Sequence, residues 1–265
     1  MTAFLSTLSQ GLLVTATTAA RPTRTFMAQA GAAAETELPP VANKEIMFIR
    51  HGVTEMNEHL GQRGQGWGSP GFVDAGFYDT RLTVRGVEQA TTLGQRFLAA
   101  DPGVDLLVAS PLTRALDTAT LAFADGAVSP SKRSVVSALC AERLYLSSDV
   151  GRPAVALAAE FPAFDFSDLL LLGESSHPWW FVSEAGAAHE EWRPEGTYCC
   201  SGEPQTVFEE RLGRFKAWLS AQPESRVAVV AHWGVIHALT GRSLENCEVL
   251  HDDLYTLLAR PLARH

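Results

Sequence analysis

Residues 45–52 read EIMFIRHG, a short apolar run that ends in an arginine, a histidine and a glycine. Continuous apolar runs without alternation are typical of strands that are covered on both faces of a sheet. Similar runs occur at Asp105–Ala109, Ser134–Leu139 and Arg226–Ala231, with Leu254–Leu258 as a fifth candidate. The chain is therefore predicted to contain four or five largely buried strands.

Helical patterns separate these runs. Thr83 is predicted to cap a helix over residues 84–100, whose apolar side chains recur every three or four residues. Ser110 is predicted to cap the next helix, with Pro111 at its first position. A third apolar stripe covers residues 208–219. The alternation of strands and helices predicts an α/β fold, a three-layer α/β/α sandwich around a mostly parallel central sheet.

The first 43 residues differ in composition from the rest. They contain no acidic residue before Glu35, and Arg21 and Arg24 are the only charges before it. This composition favours an organellar transit peptide, for a plastid or mitochondrion, and a disordered tail is the alternative. Without such an address we expect a cytoplasmic protein. Residues 44–265 are predicted to form one domain, with an irregular insertion at about residues 146–204.

The composition also limits the class of protein. Of the 265 residues 46% are hydrophobic and 19% charged, which excludes a mainly disordered chain. The net charge of −9 argues against a general nucleic-acid binder. No apolar run approaches about 18 residues, so no membrane-spanning helix is expected. Four cysteines without a C-x-x-C pair predict neither a disulfide scaffold nor a metal site.

Basic residues and histidines follow three of the predicted strands. Arg50 and His51 follow the first, Arg114 lies just after the second, and His232 follows the fourth. Ligands of parallel sheets bind beyond the carboxyl ends of the strands, so these side chains are expected to converge. Two arginines suit a tetrahedral oxyanion such as phosphate. A histidine among cations is pushed towards its neutral, nucleophilic form.

The motifs around these residues resemble a known family. The stretch Phe48–Asn57, with its Arg50-His51-Gly52 triplet, resembles the signature of the histidine phosphatase superfamily, which includes cofactor-dependent phosphoglycerate mutases. Three further segments resemble the family in the same order: Asp79–Ala90, Ser110–Ala119 and Val230–Gly234. The resemblance implies a phosphoglycerate mutase-like fold.

The resemblance also implies roles for residues of this chain. His51 would be the nucleophile that becomes phosphorylated. Arg50, Arg114 and His232 would hold the phosphoryl oxygens. Asn57 would be a further phosphate contact. No metal ion and no cofactor is implied.

The general acid is a separate prediction. The resemblance implies an acidic residue after the third strand or in a loop, and Glu142, which follows the third predicted strand, is the natural candidate, with Asp79, Asp149 and Glu184 as alternatives. The phosphate nearby is expected to raise the pKa of this carboxyl group, which must start protonated.

These residues predict a phosphoric monoester hydrolase that acts on a small phosphorylated metabolite through a phosphohistidine. A phosphoglycerate mutase is the alternative among enzymes. The segment after Glu142 lacks the glycines found in the mutases of the family, which favours hydrolysis. A non-catalytic phosphate-binding module is the alternative outside enzymes.

Overall fold

A five-stranded sheet forms the centre of the computed structural model, which describes residues 42–123, 128–173, 178–182 and 202–264. The strand order is β3-β2-β4-β1-β5, and only β5 runs antiparallel to its neighbour β1. The strands are β1 (Glu45–Arg50), β2 (Val104–Ala109), β3 (Val128–Val136), β4 (Arg226–Ala231) and β5 (Val249–Asp253). The predicted mostly parallel sheet is confirmed.

Helices cover both faces of this sheet. They are α1 (Glu55–Leu60), α2 (Val84–Ala100), α3 (Thr113–Ala122), α4 (Ala154–Glu160), α5 (Ser167–Gly173), α6 (Gln205–Ala221), α7 (Trp233–Thr240) and α8 (Leu254–Ala259). One buried cluster packs α2 to α5 against Met47 and Ile49, and a second packs α6 to α8 against Ile46 and Phe48. Alternate residues of β1 thus face the two layers, as strand geometry requires, and the α/β/α sandwich is confirmed.

The start of α2 agrees with the prediction, and the start of α3 does not. The hydroxyl oxygen of Thr83 accepts a hydrogen bond from Gly86 N at 3.3 Å, so Thr83 caps α2. In contrast, α3 begins at Thr113 after Leu112, two residues later than predicted. Ser110 therefore lies too early in the chain to cap it: its hydroxyl oxygen accepts a hydrogen bond from Leu112 N at 3.4 Å, and it lies 2.6 Å from Nε2 of His232.

The fifth predicted strand is wrong. Residues 254–259 form α8, in which Asp253 accepts a hydrogen bond from Thr256 N at 3.0 Å and caps the helix. Leu254 and Leu257 are the buried residues of α8, and their three-residue spacing is that of a helix. The fifth strand is β5 just before it. Its half-polar sequence, VLHDD, suits an edge strand that is partly exposed. A continuous apolar run, the pattern used to predict strands, is therefore absent from β5.

The predicted insertion at residues 146–204 is more regular than expected. It contains α4 and α5, and the alanine-rich sequence of α4 explains its helix, since alanine has the highest helix propensity. Asp165 forms an isolated parallel bridge with Val135 of β3. Most of residues 1–43, and residues 183–201 with Glu184, lie outside the described residues, so the predicted transit peptide or tail stays a prediction.

Two further observations concern the part of the chain that the structure describes. No helix there is long and apolar enough to cross a membrane. No group of three or more histidine, cysteine or acidic side chains there could hold a metal ion.

Candidate active site

The carboxyl ends of three adjacent strands bring the predicted site residues together. Because β4 lies between β2 and β1, backbone hydrogen bonds extend the sheet just past the strand ends. His51 N donates to Ala231 O at 3.0 Å, and Ser110 N donates to Val230 O at 3.0 Å. His232 follows directly as the residue before α7. The expected convergence at this edge of the sheet is confirmed.

His51 is buried and held in one orientation. Its Nδ1 atom lies 2.8 Å from Gly52 O, and a carbonyl oxygen only accepts hydrogen bonds. Nδ1 therefore carries the proton, and the lone pair lies on Nε2. Burial lowers the pKa of His51 well below its usual value, and the positive charges of Arg114 and Arg50 lower it further. The neutral imidazole expected from the sequence follows, with burial as the larger cause.

The second histidine lies next to the first. The rings of His51 and His232 have centroids 5.1 Å apart at 54°. Burial lowers the pKa of His232 well below its usual value, with Arg114 as the second cause. Its Nε2 atom contacts Ser110 Oγ at 2.6 Å, whereas its buried Nδ1 atom has no hydrogen-bond partner among the described residues. Such a buried nitrogen suits a bound phosphoryl oxygen.

Arg114 is buried in the first turn of α3 and carries an ion pair. Its Nη2 atom donates to Asp149 Oδ1 at 2.9 Å, and its Nη1 atom donates to Ser148 O. These bonds use two of the five N–H donors of a guanidinium group and fix its plane. Arg50 is fixed similarly, since its Nη1 atom donates to Leu244 O at 2.7 Å. The buried Nε atom of Arg50 has no hydrogen-bond partner within the described residues.

Glu142 reaches this site from the turn that follows β3. Its carboxylate accepts hydrogen bonds from Arg143 N at 2.9 Å and from Gly234 N at 3.0 Å, two residues after His232. Burial and the negative charge of Asp149 raise the pKa of Glu142 to about 6. A Cβ atom at position 234 would lie 2.5 Å from Glu142 Oε1, so a glycine there permits the contact. Glu142 thus combines a raised pKa with a position beside the second histidine, as a proton donor requires.

Asn57 is tied to the site through the capping box of α1. Its Oδ1 atom accepts hydrogen bonds from Thr54 N at 3.2 Å and from Asn246 Nδ2 at 3.3 Å. Asn246 Nδ2 also donates to His51 O at 2.8 Å, so it braces the residue that carries the predicted nucleophile. The phosphate contact of Asn57 stays a prediction.

The alternative acids occupy other places. Asp79 is buried against α3, where it accepts hydrogen bonds from Thr113 N at 2.8 Å and from Arg152 Nε at 2.8 Å. Asp149 is engaged by Arg114 and by Leu146 N at 2.9 Å. Both carboxylates are therefore paired with an arginine, whereas Glu142 accepts its hydrogen bonds from backbone N–H groups, which leaves Glu142 as the better placed donor.

Three residues around the site were not predicted in their present roles. Ser110 orients His232, Asp149 orients Arg114, and Asn246 braces His51. Asn246 and His51 are 195 positions apart in sequence, so no local pattern could have joined them. A serine between a strand and a proline reads as a helix cap, which concealed the role of Ser110.

Part of the chain matches a known sequence family. Residues 46–134 match the model of the histidine phosphatase superfamily (branch 1), which confirms the resemblance seen in the motifs. A 2,3-bisphosphoglycerate-dependent phosphoglycerate mutase of Haemophilus ducreyi is 38% identical over 77 residues, 29% of this chain and 29% of the mutase. The mutase of Haemophilus influenzae is 35% identical over a segment of the same size. The chain therefore aligns with less than a third of the length of these curated relatives.

Solved structures resemble the chain over more of its length. The α-ribazole phosphatase of Shigella flexneri is 23% identical, with 78% of this chain and 89% of that chain covered and a TM-score of 0.47. A mycobacterial glucosyl-3-phosphoglycerate phosphatase is 20% identical, with coverages of 80% and 91% and a TM-score of 0.44. A phosphoglycerate mutase of Thermus thermophilus is 22% identical, with coverages of 78% and 91% and a TM-score of 0.41.

Proposed function

We propose, from the histidine phosphatase superfamily segment in residues 46–134, that this chain hydrolyses phosphoric monoesters through a phosphohistidine on His51. One observation carries the proposal. The hydrogen bond from His51 Nδ1 to Gly52 O leaves the Nε2 lone pair free, near the buried Arg114, the half-buried Arg50 and a second neutral histidine. This set of groups suits a nucleophile and an oxyanion clamp.

In the first step, His51 Nε2 attacks the phosphorus atom of the ester. The N–P bond forms while the bond from phosphorus to the leaving oxygen breaks. Glu142 gives its proton to that oxygen, so an alcohol leaves and the carboxylate remains. Arg50, Arg114 and His232 hold the other phosphoryl oxygens, whose charge they stabilise.

In the second step, water attacks the phosphorus atom of phosphohistidine. Glu142, now ionised, takes a proton from this water as the new P–O bond forms and the N–P bond breaks. Inorganic phosphate and neutral His51 result, and the carboxyl group is protonated again. The substrate in this proposal is a small phosphorylated metabolite.

A mutase is the second candidate, favoured by the curated relatives, which are named phosphoglycerate mutases. A mutase would return the phosphoryl group from His51 to a second hydroxyl group of the substrate instead of to water. The short segment between Glu142 and the turn Ser147–Asp149, without the glycines of the mutases, supports hydrolysis.

The test uses the full chain with p-nitrophenyl phosphate and a panel of phosphorylated metabolites. We expect release of inorganic phosphate and, after acid-free denaturation, a phosphate bound to His51 that survives alkali and is lost in acid. Transfer to added phosphoglycerates without net phosphate release would support the mutase. Phosphate binding without phosphohistidine or turnover would support a non-catalytic module and overturn the proposal.

A further inference from the structure

The segment that carries Glu142 is held by one side chain of α6. Arg211 Nη1 donates hydrogen bonds to Leu139 O at 3.0 Å and to Ala141 O at 2.8 Å, and its Nη2 atom lies 3.5 Å from Glu142 O. A single guanidinium group therefore contacts three carbonyl oxygens within four residues. These residues lie in the connection between β3 and the candidate acid, which contains the three-residue 3-10 helix Ala138–Cys140 and no longer helix or strand.

Arg211 is itself fixed by a buried partner. Glu203 accepts hydrogen bonds from Arg211 Nε at 2.9 Å and from Nη2 at 2.6 Å, with 12% of the Arg211 side chain and 3% of the Glu203 side chain exposed. The guanidinium carbon also lies 5.1 Å from the centre of the Phe208 ring. The bidentate pair and the ring leave the guanidinium plane little freedom.

Glu203 reaches the same segment from its other end. Its backbone N donates to Leu144 O at 2.8 Å, and its carbonyl oxygen accepts a hydrogen bond from Arg143 Nε at 2.8 Å. Glu142 therefore lies between two sets of hydrogen bonds, one made by the Arg211 side chain and one by the backbone of its partner Glu203. Buried ion pairs contribute little net stability, because desolvation offsets their attraction. A role in geometry explains the presence of this pair better than stability does.

We propose that Arg211 is a positioning residue for Glu142, which holds the carboxyl group at the leaving oxygen. The proposal rests on the proposed function, in which Glu142 is the acid. The hydrogen bond from Gly234 N fixes the carboxylate end of the Glu142 side chain. Arg211 fixes the backbone end of the same residue through Glu142 O. A displacement of about 1 Å is enough to slow such a proton transfer substantially.

The test compares two substrates in Arg211→Met, Arg211→Lys and the control Arg214→Met, which changes an exposed arginine of the same helix. An alkyl phosphate needs the proton on its leaving oxygen, whereas p-nitrophenolate leaves readily without it. For each variant we take kcat/KM for the alkyl ester divided by kcat/KM for p-nitrophenyl phosphate. The active fraction of a preparation cancels in this ratio, so a destabilised variant still reports on the acid.

We expect Arg211→Met to lower this ratio at least about tenfold, because the acid is displaced while the nucleophile and clamp remain. Arg211→Lys should lower the ratio less than Arg211→Met, because lysine keeps the positive charge. It should still lower the ratio somewhat, because an ammonium group cannot reproduce the planar set of guanidinium donors. Arg214→Met should keep the wild-type ratio, and inhibition by inorganic phosphate should be unchanged in all three variants. A ratio within twofold of wild type in Arg211→Met overturns the proposal. A wild-type chain that forms no phosphohistidine overturns the proposed function instead.

Discussion

The two halves of the candidate site are built by different means. The half proposed to bind phosphate, called the phosphate half below, consists of residues at or just after the ends of β1, β2 and β4, whose positions follow from the hydrogen bonds of the sheet. The half that carries the acid lies on an irregular connection after β3, which is held by side chains from distant segments, chiefly Arg211. Sheet pairing is cooperative and hard to disturb locally, whereas a connection held by one side chain depends on that contact. We therefore expect changes in the two halves to differ in kind as well as in size.

The largest effect is expected at the nucleophile in the phosphate half. His51→Ala should lower kcat/KM at least about 10³-fold for alkyl and aryl phosphates alike, because no other group replaces the nucleophile. No phosphohistidine should form. His251→Ala, which removes an exposed histidine of β5, is the control and should keep full activity. Activity within tenfold of wild type would remove His51 from its assigned role.

In the acid half, the effect should depend on the substrate. Glu142→Gln keeps the shape of the side chain and removes the transferable proton. We expect kcat/KM for an alkyl phosphate to fall about 10²-fold, with a much smaller loss for p-nitrophenyl phosphate. Glu88→Gln, an exposed change on α2, is the matched control. Equal losses on both substrates would mean that the two halves are not functionally separate and that Glu142 is not the leaving-group acid.

The pH dependence should separate the halves further. Burial raises the pKa of Glu142 to about 6, and the first step needs its protonated form. The rate for an alkyl ester should therefore fall up to about tenfold per pH unit above pH 6. The second ionisation of the substrate, also near pH 6, is common to the wild type and the Glu142→Gln variant. Dividing the wild-type profile by that of Glu142→Gln isolates the carboxyl group, and a flat quotient between pH 5 and 8 would contradict its role.

The dependence of kcat/KM on pH also tests His51 and His232, at pH values below 6.5. Their lowered pKa values keep both imidazoles neutral as the pH falls below the ordinary value of 6.5. After division by the ionised fraction of the substrate, kcat/KM for p-nitrophenyl phosphate should accordingly stay constant down to well below that pH.

The smallest effect is expected at Ser110, which orients His232 and also accepts a hydrogen bond from Leu112 N. Ser110→Ala should lower kcat/KM about tenfold on both substrates, because the clamp loses one contact and keeps its charges. The ratio of kcat/KM for the alkyl ester to kcat/KM for p-nitrophenyl phosphate should stay at the wild-type value, whereas Glu142→Gln should lower it. Ser167→Ala on the exposed side of α5 serves as the control. A ratio that falls with Ser110→Ala would show that the phosphate half also positions the acid.

The two halves also differed in how well they could be predicted. Residues at the ends of buried strands lie beside apolar runs, so Arg50, His51 and His232 could be located by their place in the pattern. Glu142 could be chosen only from its position after β3, because nothing in the local sequence indicates the contact with Gly234 N. Arg211 and Glu203 escaped altogether, since their effect depends on tertiary contacts 72 residues along the chain from Leu139 and 60 from Arg143.

The helices and strands were likewise predicted well where local sequence determines them and poorly where tertiary contacts do. The periodicity and cap of α2 are local, and its bounds were predicted correctly. The strand β5 pairs only along the edge of the sheet and is half polar, so its pattern carries little signal. The apolar residues just after β5 were therefore predicted as the fifth strand, although they form α8.

The central place of β4 has a consequence for how the chain folds. Its neighbours β1 and β2 lie far ahead of it in the sequence, and neither pairs with the other. A ribosome-bound chain that ends before residue 226 therefore lacks the strand that joins them, and His51 and Arg114 have no scaffold in common. Such long-range pairings slow folding, because the loop must close before contacts offset its entropy. The phosphate pocket should thus be among the last features to form, and phosphate should bind only to a chain that has completed its sheet.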